Sequence, residues 1–183
     1  MEVMLCSLSL RLASHNLKLV NIASEIVRAN SSTPNLINLN AYDIPYYNQE
    51  IEEKALPQAV LSLKDKMDHA KALILASPEY NFSMPGHFKN TLDWLSRCKP
   101  QPFKNKPILL LSASPGMVAG NRGLWSLRIP LEALGAFVFP TMFSLPFIHE
   151  SFTDDHKFKD QESFNKLDEV VKSFLRFAST LSY

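Results

Sequence analysis

Cysteine, glycine and uncompensated charge are what this 183-residue chain has least of. Its two cysteines, Cys6 and Cys98, are too few for a disulfide framework. Cys6 sits in an apolar run and reads as a small buried hydrophobe. Cys98 ends a helix, a position open to exposure, with nothing beside it that marks it as reactive. Nineteen Lys and Arg against 18 Asp and Glu leave a formal charge of +1. No basic cluster stands out, which argues against nucleic acid as a partner, because binding to a phosphate backbone needs one. No apolar run is long enough to span a bilayer. The leucine-rich start does not read as a secretory signal: Glu2 has the wrong sign, and Arg11 interrupts the run before any small-residue cleavage site. A soluble, cytoplasmic protein is expected.

Several motifs are missing too. Neither G-x-G-x-x-G nor G-x-x-x-x-G-K-[ST] occurs, which disfavours a tightly held dinucleotide or a nucleoside triphosphate. The five histidines are scattered, with no His or Cys at metal-ligand spacing, so no metal is expected. His15 begins a helix and His87 follows a turn, and both read as surface or capping residues rather than bases. Without a G-x-S-x-G elbow, Ser-His-Asp hydrolysis has little support.

What the chain does have is alternation. With 46% hydrophobic and 20% charged residues it is ordinary globular material, long enough for one domain over residues 1–183. Short apolar runs, Val3–Cys6, Leu36–Leu39, Ala72–Ala76, Ile108–Leu111 and Ala136–Pro140, read as strands. Helical periods fall between and after them, to about Arg28, over Leu56–His69, His87–Arg97 and Leu124–Leu134, and finally over Gln161–Leu181. Ser14 is a natural N-cap for the first, and Pro130 should kink or shorten the fourth. Pro146–Lys159 reads as an irregular loop. Strands this apolar, joined by helices, imply a parallel sheet covered on both faces. The simplest solution is a flavodoxin-like, doubly wound, five-stranded α/β sheet of order 2-1-3-4-5.

That order brings three polar loops to one edge, beside the switch point where open sheets bind ligands. The first, Ser7–Asn16, precedes a helix N-terminus and suits a phosphate. The second is Ser77-Pro78-Glu79-Tyr80-Asn81-Phe82-Ser83-Met84-Pro85-Gly86, rich in polar groups and stiffened by two prolines. The third, Ser112–Gly123, holds three of the five glycines, a sign of backbone freedom or close approach. The pair Tyr46-Tyr47 either borders a ligand or packs its loop onto the body. A flavin mononucleotide fits, with its phosphate on the first loop and its ring between the other two.

The second loop, continued by Lys89-Asn90 and Asp93-Trp94, closely resembles the motif of the NADPH-dependent FMN reductases, which include chromate, quinone and azo-dye reductases. Ser9-x-Arg11-x-x-Ser14-x-Asn16 resembles that family's phosphate loop, and Ser112-x-Ser114-Pro115-Gly116 its third flavin loop. The resemblance implies FMN, with Arg11, Ser14, Asn16 and Leu17 at the phosphate beside Ser9. Pro78, Glu79, Tyr80 and Asn81 would meet the ribityl chain and ring, with Ser83 in the same loop, and Ser112 and Ser114 would edge the ring. It also implies hydride transfer from NADPH or NADH through flavin N5 to a small-molecule acceptor: a quinone, azo compound, metal oxyanion or free flavin. No catalytic side chain is required, and a homodimer or homotetramer is implied, the helices after the second and third loops meeting between subunits. Two positions depart from the pattern. Leu8 stands where the family has glycine, so a weaker hold on FMN is expected, and Pro130 interrupts a helix of the implied dimer contact. Two alternatives remain at this level: an electron carrier of flavodoxin type, disfavoured by the near-neutral charge, and a flavin-free interaction protein on the same scaffold.

Overall fold

Apolar side chains alternate across each central strand, and that period of two builds the molecule. The computed structural model describes residues 1–181; Ser182 and Tyr183 lie outside the described residues. Six strands form the sheet: β1 (Glu2–Ser7), β2 (Thr33–Asn38), β3 (Ala72–Ala76), β4 (Pro107–Ala113), β5 (Phe137–Val138) and β6 (Phe143–Leu145). The first five are ordered β2-β1-β3-β4-β5, all parallel, as the sequence pattern implies. Met4, Cys6, Leu73, Leu75, Ile108 and Leu110 point to one face of the sheet. Val3, Leu5, Ile74, Ala76, Leu109 and Leu111 point to the other.

Helices cover both faces. On the first lie α3 (Gln58–His69), α4 (Gly86–Leu95) and α5 (Asn121–Ala133), through Val60, Leu63, Met67, Phe88, Leu92, Leu124 and Leu127. On the second, α1 (His15–Ala29) and α7 (Gln161–Thr180) bring Leu19, Ala23, Ile26, Leu167, Val171 and Phe174. Two one-turn helices, α2 (Gln49–Glu52) and α6 (Ile148–Ser151), and a 3-10 turn at Leu39–Ala41 complete the set. Each buried leucine or phenylalanine contributes about 1.5–3 kcal/mol, so these two faces account for most of the driving force.

Several expectations are corrected. Ala136–Pro140 is not one strand. β5 pairs with Pro107–Ile108, the chain breaks at Phe139-Pro140, and β6 resumes beside Leu111–Ala113. Pro140 has no N–H to give a ladder, which accounts for the break. The segment expected as an irregular loop carries α6 and a bridge between Phe152 and Phe158. β2 starts three residues early, at Thr33, and is half exposed because it is an edge strand, not an enclosed one. Pro130 does not end α5: the helix runs three residues further, its sheet side held by buried Leu124, Leu127 and Leu131. Cys98 is buried, not exposed, its thiol near the Trp94 carbonyl, and burial pushes its pKa up. Burial likewise raises the Cys6 thiol, to about 12.

The segment after β2 is fastened from below. Asn90 accepts from Tyr47 N–H at 2.7 Å and donates to Pro45 O at 2.8 Å. Trp94 Nε1 donates to the same carbonyl at 2.8 Å, and its ring meets Tyr47 edge-on. Of the aromatic pair, Tyr47 therefore packs the loop down, while Tyr46 stays in solvent.

Candidate functional site: three braced loops at the carboxyl edge

The ladder does not stop where the strands do. Leu8 N–H donates to Ala76 O at 2.8 Å, Ser77 N–H to Leu111 O at 2.8 Å, and Ser114 N–H to Leu145 O at 3.1 Å. All three loops thus leave the sheet in register. Leu8 keeps the phase of Met4 and Cys6, and its side chain is wholly buried among them. Its side chain packs into the core and not into the loop.

The first loop turns on serine hydroxyls. Ser9 N–H donates to Ser7 Oγ and Arg11 N–H to Ser9 Oγ, each at 3.3 Å. These are the short-range turns that serine favours. Ser14 is the N-cap of α1, its hydroxyl accepting from Leu17 N–H at 3.4 Å. Arg11 is exposed and has no carboxylate partner among the described residues. Ser9, Arg11 and Leu17 border a cavity of about 300 Å³. Beside it lies a larger one, about 610 Å³, between Leu10, the segment Tyr42–Tyr46 and the start of α4 at His87.

The second loop is a tight hairpin. Tyr80 and Ser83 exchange backbone hydrogen bonds at 3.0 and 3.1 Å around Asn81 and Phe82, both with positive φ (50° and 65°). Positive φ at both central residues is the primed turn that hairpins prefer, which Asn tolerates and a bulky ring resists. The Arg122 guanidinium lies over the Phe82 ring, 5.0 Å from its centre.

Side chains then tie the loops to one another. Ser112 Oγ donates to Ser77 O at 2.7 Å, joining the second and third loops beneath the surface. Glu79 Oε2 accepts from Gly123 N–H at 3.1 Å, and its other oxygen lies 3.9 Å from Arg122. Met84 N–H donates to Ser126 Oγ at 2.7 Å, anchoring the end of the second loop on α5. Asn16 bonds both backbone groups of Ala113. The glycines of the third loop make this approach possible. Gly120 has φ +76°, and a Cβ there would lie 2.1 Å from Ser112 Oγ; one on Gly123 would lie 3.2 Å from Glu79 Cα.

The sequence-derived residues therefore divide in two. Ser9, Arg11, Leu17, Pro78, Tyr80, Asn81, Ser83 and Ser114 keep surface toward the edge, whereas Ser14, Asn16 and Ser112 are buried and Glu79 is turned against α5. Arg122, Gly120, Gly123 and Ser126 complete the frame, and sequence reasoning gives none of them a role of its own. The glycine cluster was the one available signal, since Ser126 and Arg122 carry no local pattern. His15 and His87 each keep one buried ring nitrogen without a hydrogen-bond partner. Burial lowers both pKa values, His15 further through Lys18, His149 and Arg11.

A parallel sheet in this order, with braced loops at its carboxyl edge, defines the flavodoxin-like class. An archaeal flavodoxin overlays on 98% of the chain with a TM-score of 0.63 at 10% identity, a likeness of fold alone. The family model described as NADPH-dependent FMN reductase matches residues 1–150, and the chain belongs to that family. It is 39% identical over 97 residues to a quinone reductase of Escherichia coli K12, a match spanning about half of each chain (52% and 52%). It is 31% identical over 170 residues to NAD(P)H:quinone oxidoreductase of Solanum tuberosum, covering 92% of this chain and 84% of that one. The flavoenzyme NAD(P)H:(acceptor) oxidoreductase FerB of Paracoccus denitrificans overlays with a TM-score of 0.85 at 28% identity, covering 100% of this chain and 99% of that one. Among the described residues no helix is long and apolar enough to cross a membrane, and no cluster of His, Cys, Asp or Glu is set to hold a metal.

Proposed function

We propose that this protein is an FMN-dependent NAD(P)H oxidoreductase acting on small-molecule acceptors such as quinones, azo compounds, metal oxyanions or free flavin. One observation carries the reading beyond family membership: three loops braced to one another meet at the edge where Arg11 is a cation without a carboxylate partner among the described residues. The donor set suits the cofactor. A flexible dianionic phosphate is matched by Arg11, Ser9 and the N-terminus of α1, and a planar polar heterocycle by the stiff second and third loops. Arg11 would neutralise the phosphate, with Leu17 beside it. Pro78, Tyr80, Asn81 and Ser83 would line the ribityl chain and ring, and Ser114 would edge the ring. Glu79 and Ser112 would act from behind, tying those loops together at a set spacing. The chemistry FMN supplies when bound is hydride acceptance from NADH or NADPH and delivery of the electrons to the second substrate. The protein contributes orientation and electrostatics.

The reading extends to a homodimer or homotetramer in the cytoplasm, where NAD(P)H is supplied. Trp125 and Ile129, 56% and 75% exposed, stand one turn apart on the outer face of α5, a larger apolar display than a solvated helix needs. Two measurements test the flavin-dependent activity. Purified protein should show a bound-flavin band in the visible, and flavin-loaded protein should oxidise NADPH steadily with menadione. A flavin-loaded protein without nicotinamide turnover would be a carrier instead. Protein that is colourless and gains no thermal stability from added FMN would sink the flavin reading.

A further inference from the structure

Asn16 sits where a phosphate ligand is expected, but its side chain is buried and its amide is paired with a strand backbone. Its Nδ2 donates to Ala113 O at 3.1 Å, and Ala113 N–H donates to its Oδ1 at 2.9 Å, a bond pair spanning 97 residues of sequence. The side chain imitates a neighbouring strand, satisfying both backbone groups of the last residue of β4. Asn16 is 3% exposed, and Ala113 is equally buried. Ala113 leads directly into Ser114-Pro115-Gly116, the start of the third loop. One amide therefore sets the first turn of α1 against the root of the third loop. Turning it toward a ligand would strand a buried N–H and C=O, each costly to leave without a partner.

We infer that Asn16 is a positioning residue for the third loop, acting on the ring side of the bound flavin and not on its phosphate. This rests on the FMN reading above. The residues that face the phosphate are then Arg11 and Ser9, while Asn16 fixes the distance between the wall they form and the wall that edges the ring. Ser112, which precedes Ala113 on β4, has the matching role of tying that strand to Ser77.

Riboflavin, which has the ring and ribityl chain of FMN but no phosphate, separates the two roles. Dissociation constants of FMN and riboflavin are measured by flavin fluorescence for wild type, Asn16→Ala and Arg11→Ala. Asn16→Ala should weaken both ligands by the same factor, about tenfold, as expected for buried hydrogen bonds lost behind the loop. Arg11→Ala should weaken FMN alone. At saturating FMN, Asn16→Ala should also shift the midpoint potential of the bound flavin, and Arg11→Ala should leave it in place; this comparison serves where riboflavin binds too weakly to measure. If Asn16→Ala loses FMN affinity while riboflavin binding and potential are unchanged, Asn16 is a phosphate ligand and the inference is wrong. No change in either ligand or in the potential overturns it as well. Should Asn16→Ala fail to fold by circular dichroism, Asn16→Ser, which is neutral and so adds no charge beside the phosphate, enters the same comparison. Wild-type protein that binds neither flavin removes the flavin reading itself, and is recognised before any variant is made.

Discussion

Glu79 Oε2 accepts the N–H of Gly123 at 3.1 Å, so a loop after β3 and a helix after β4 are held by one carboxylate. The bond uses an N–H of the first turn of α5 (Asn121–Ala133), where helices have donors to spare and a partial positive charge. Glu79→Ala leaves that N–H without its partner and should cost about 2 kcal/mol in urea unfolding. Glu79→Gln keeps an acceptor oxygen and should cost less than half as much. If the two variants unfold alike, the bond contributes nothing to the frame.

The third loop's close approach makes a second prediction. Gly120→Ala places a Cβ 2.1 Å from Ser112 Oγ at a φ of +76°. Left-handed strain and overpacking together should cost about 2–4 kcal/mol. Gly116, with nothing within 4 Å of its would-be Cβ, is the internal control. Gly116→Ala should stay within about 0.5 kcal/mol of wild type. Denaturation midpoints of the two variants decide the matter.

Lys106 tests the stability of the opposite end of the sheet. Its Nζ donates to Met67 O at 2.9 Å and Ala70 O at 2.5 Å, satisfying carbonyls at the end of α3. Lys106→Met should cost about 2 kcal/mol through the carbonyls left without a donor. Burial lowers the Lys106 pKa. Between that lowered value and the ordinary value near 10.4 the unfolded chain binds more protons, so this group's contribution to stability rises with pH. The stability gap between wild type and Lys106→Met should therefore widen as pH is raised toward 10. A gap that narrows over that range would contradict the assignment.

His15 and His87 pull the other way at low pH. Both pKa values lie below the ordinary value near 6.5, chiefly through burial, with Lys18, His149 and Arg11 adding to the shift at His15. Above pH 6.5 both states are neutral and nothing is lost. As pH falls below 6.5 the unfolded chain takes up protons that the folded protein resists, and stability drops until the folded pKa values are passed. Urea midpoints at pH 7.5 and 5.5 should show a smaller drop in His15→Gln and His87→Gln than in wild type. Equal drops in all three proteins would place the acid sensitivity elsewhere.

Arg11 gives the electrostatic prediction. It is exposed and its charge is unpaired among the described carboxylates, so its attraction for a phosphate is open to screening. FMN binding by wild type should weaken from about 0.05 M to about 0.5 M NaCl, where the Debye length falls below roughly 5 Å. Arg11→Ala should flatten that dependence. A variant with the full salt dependence would assign the phosphate to another cation.

Much of the fold is legible in the chain itself. Ala72–Ala76, a run of five apolar residues between a lysine and Ser77-Pro78, is a strand at those bounds because a central parallel strand must be apolar on both faces. Ser14 caps α1 because a hydroxyl one residue before a helix meets N–H groups that the helix cannot satisfy itself. The edges are less legible. β5 and β6 have one neighbour each, so only two and three of their residues pair, and Pro140 between them breaks a run that looks continuous in sequence.

The three loops that carry the proposed site were determined by sequence alone, because apolar runs and their polar exits are local patterns and the strand order follows from few alternatives. Which side chains face a ligand and which hold the frame was decided only in the fold. Asn16 and Ala113 are 97 residues apart in sequence and share two hydrogen bonds. Glu79 and Gly123 are separated by 44 residues and share one. Leu8, which stands where the resembled family has glycine, is absorbed by the core because it keeps the phase of β1. A polar side chain near a site has the same chemistry whether it meets a ligand or a backbone. Only the packing of distant strands selects between the two, because a buried amide must be satisfied by whatever the fold brings to it.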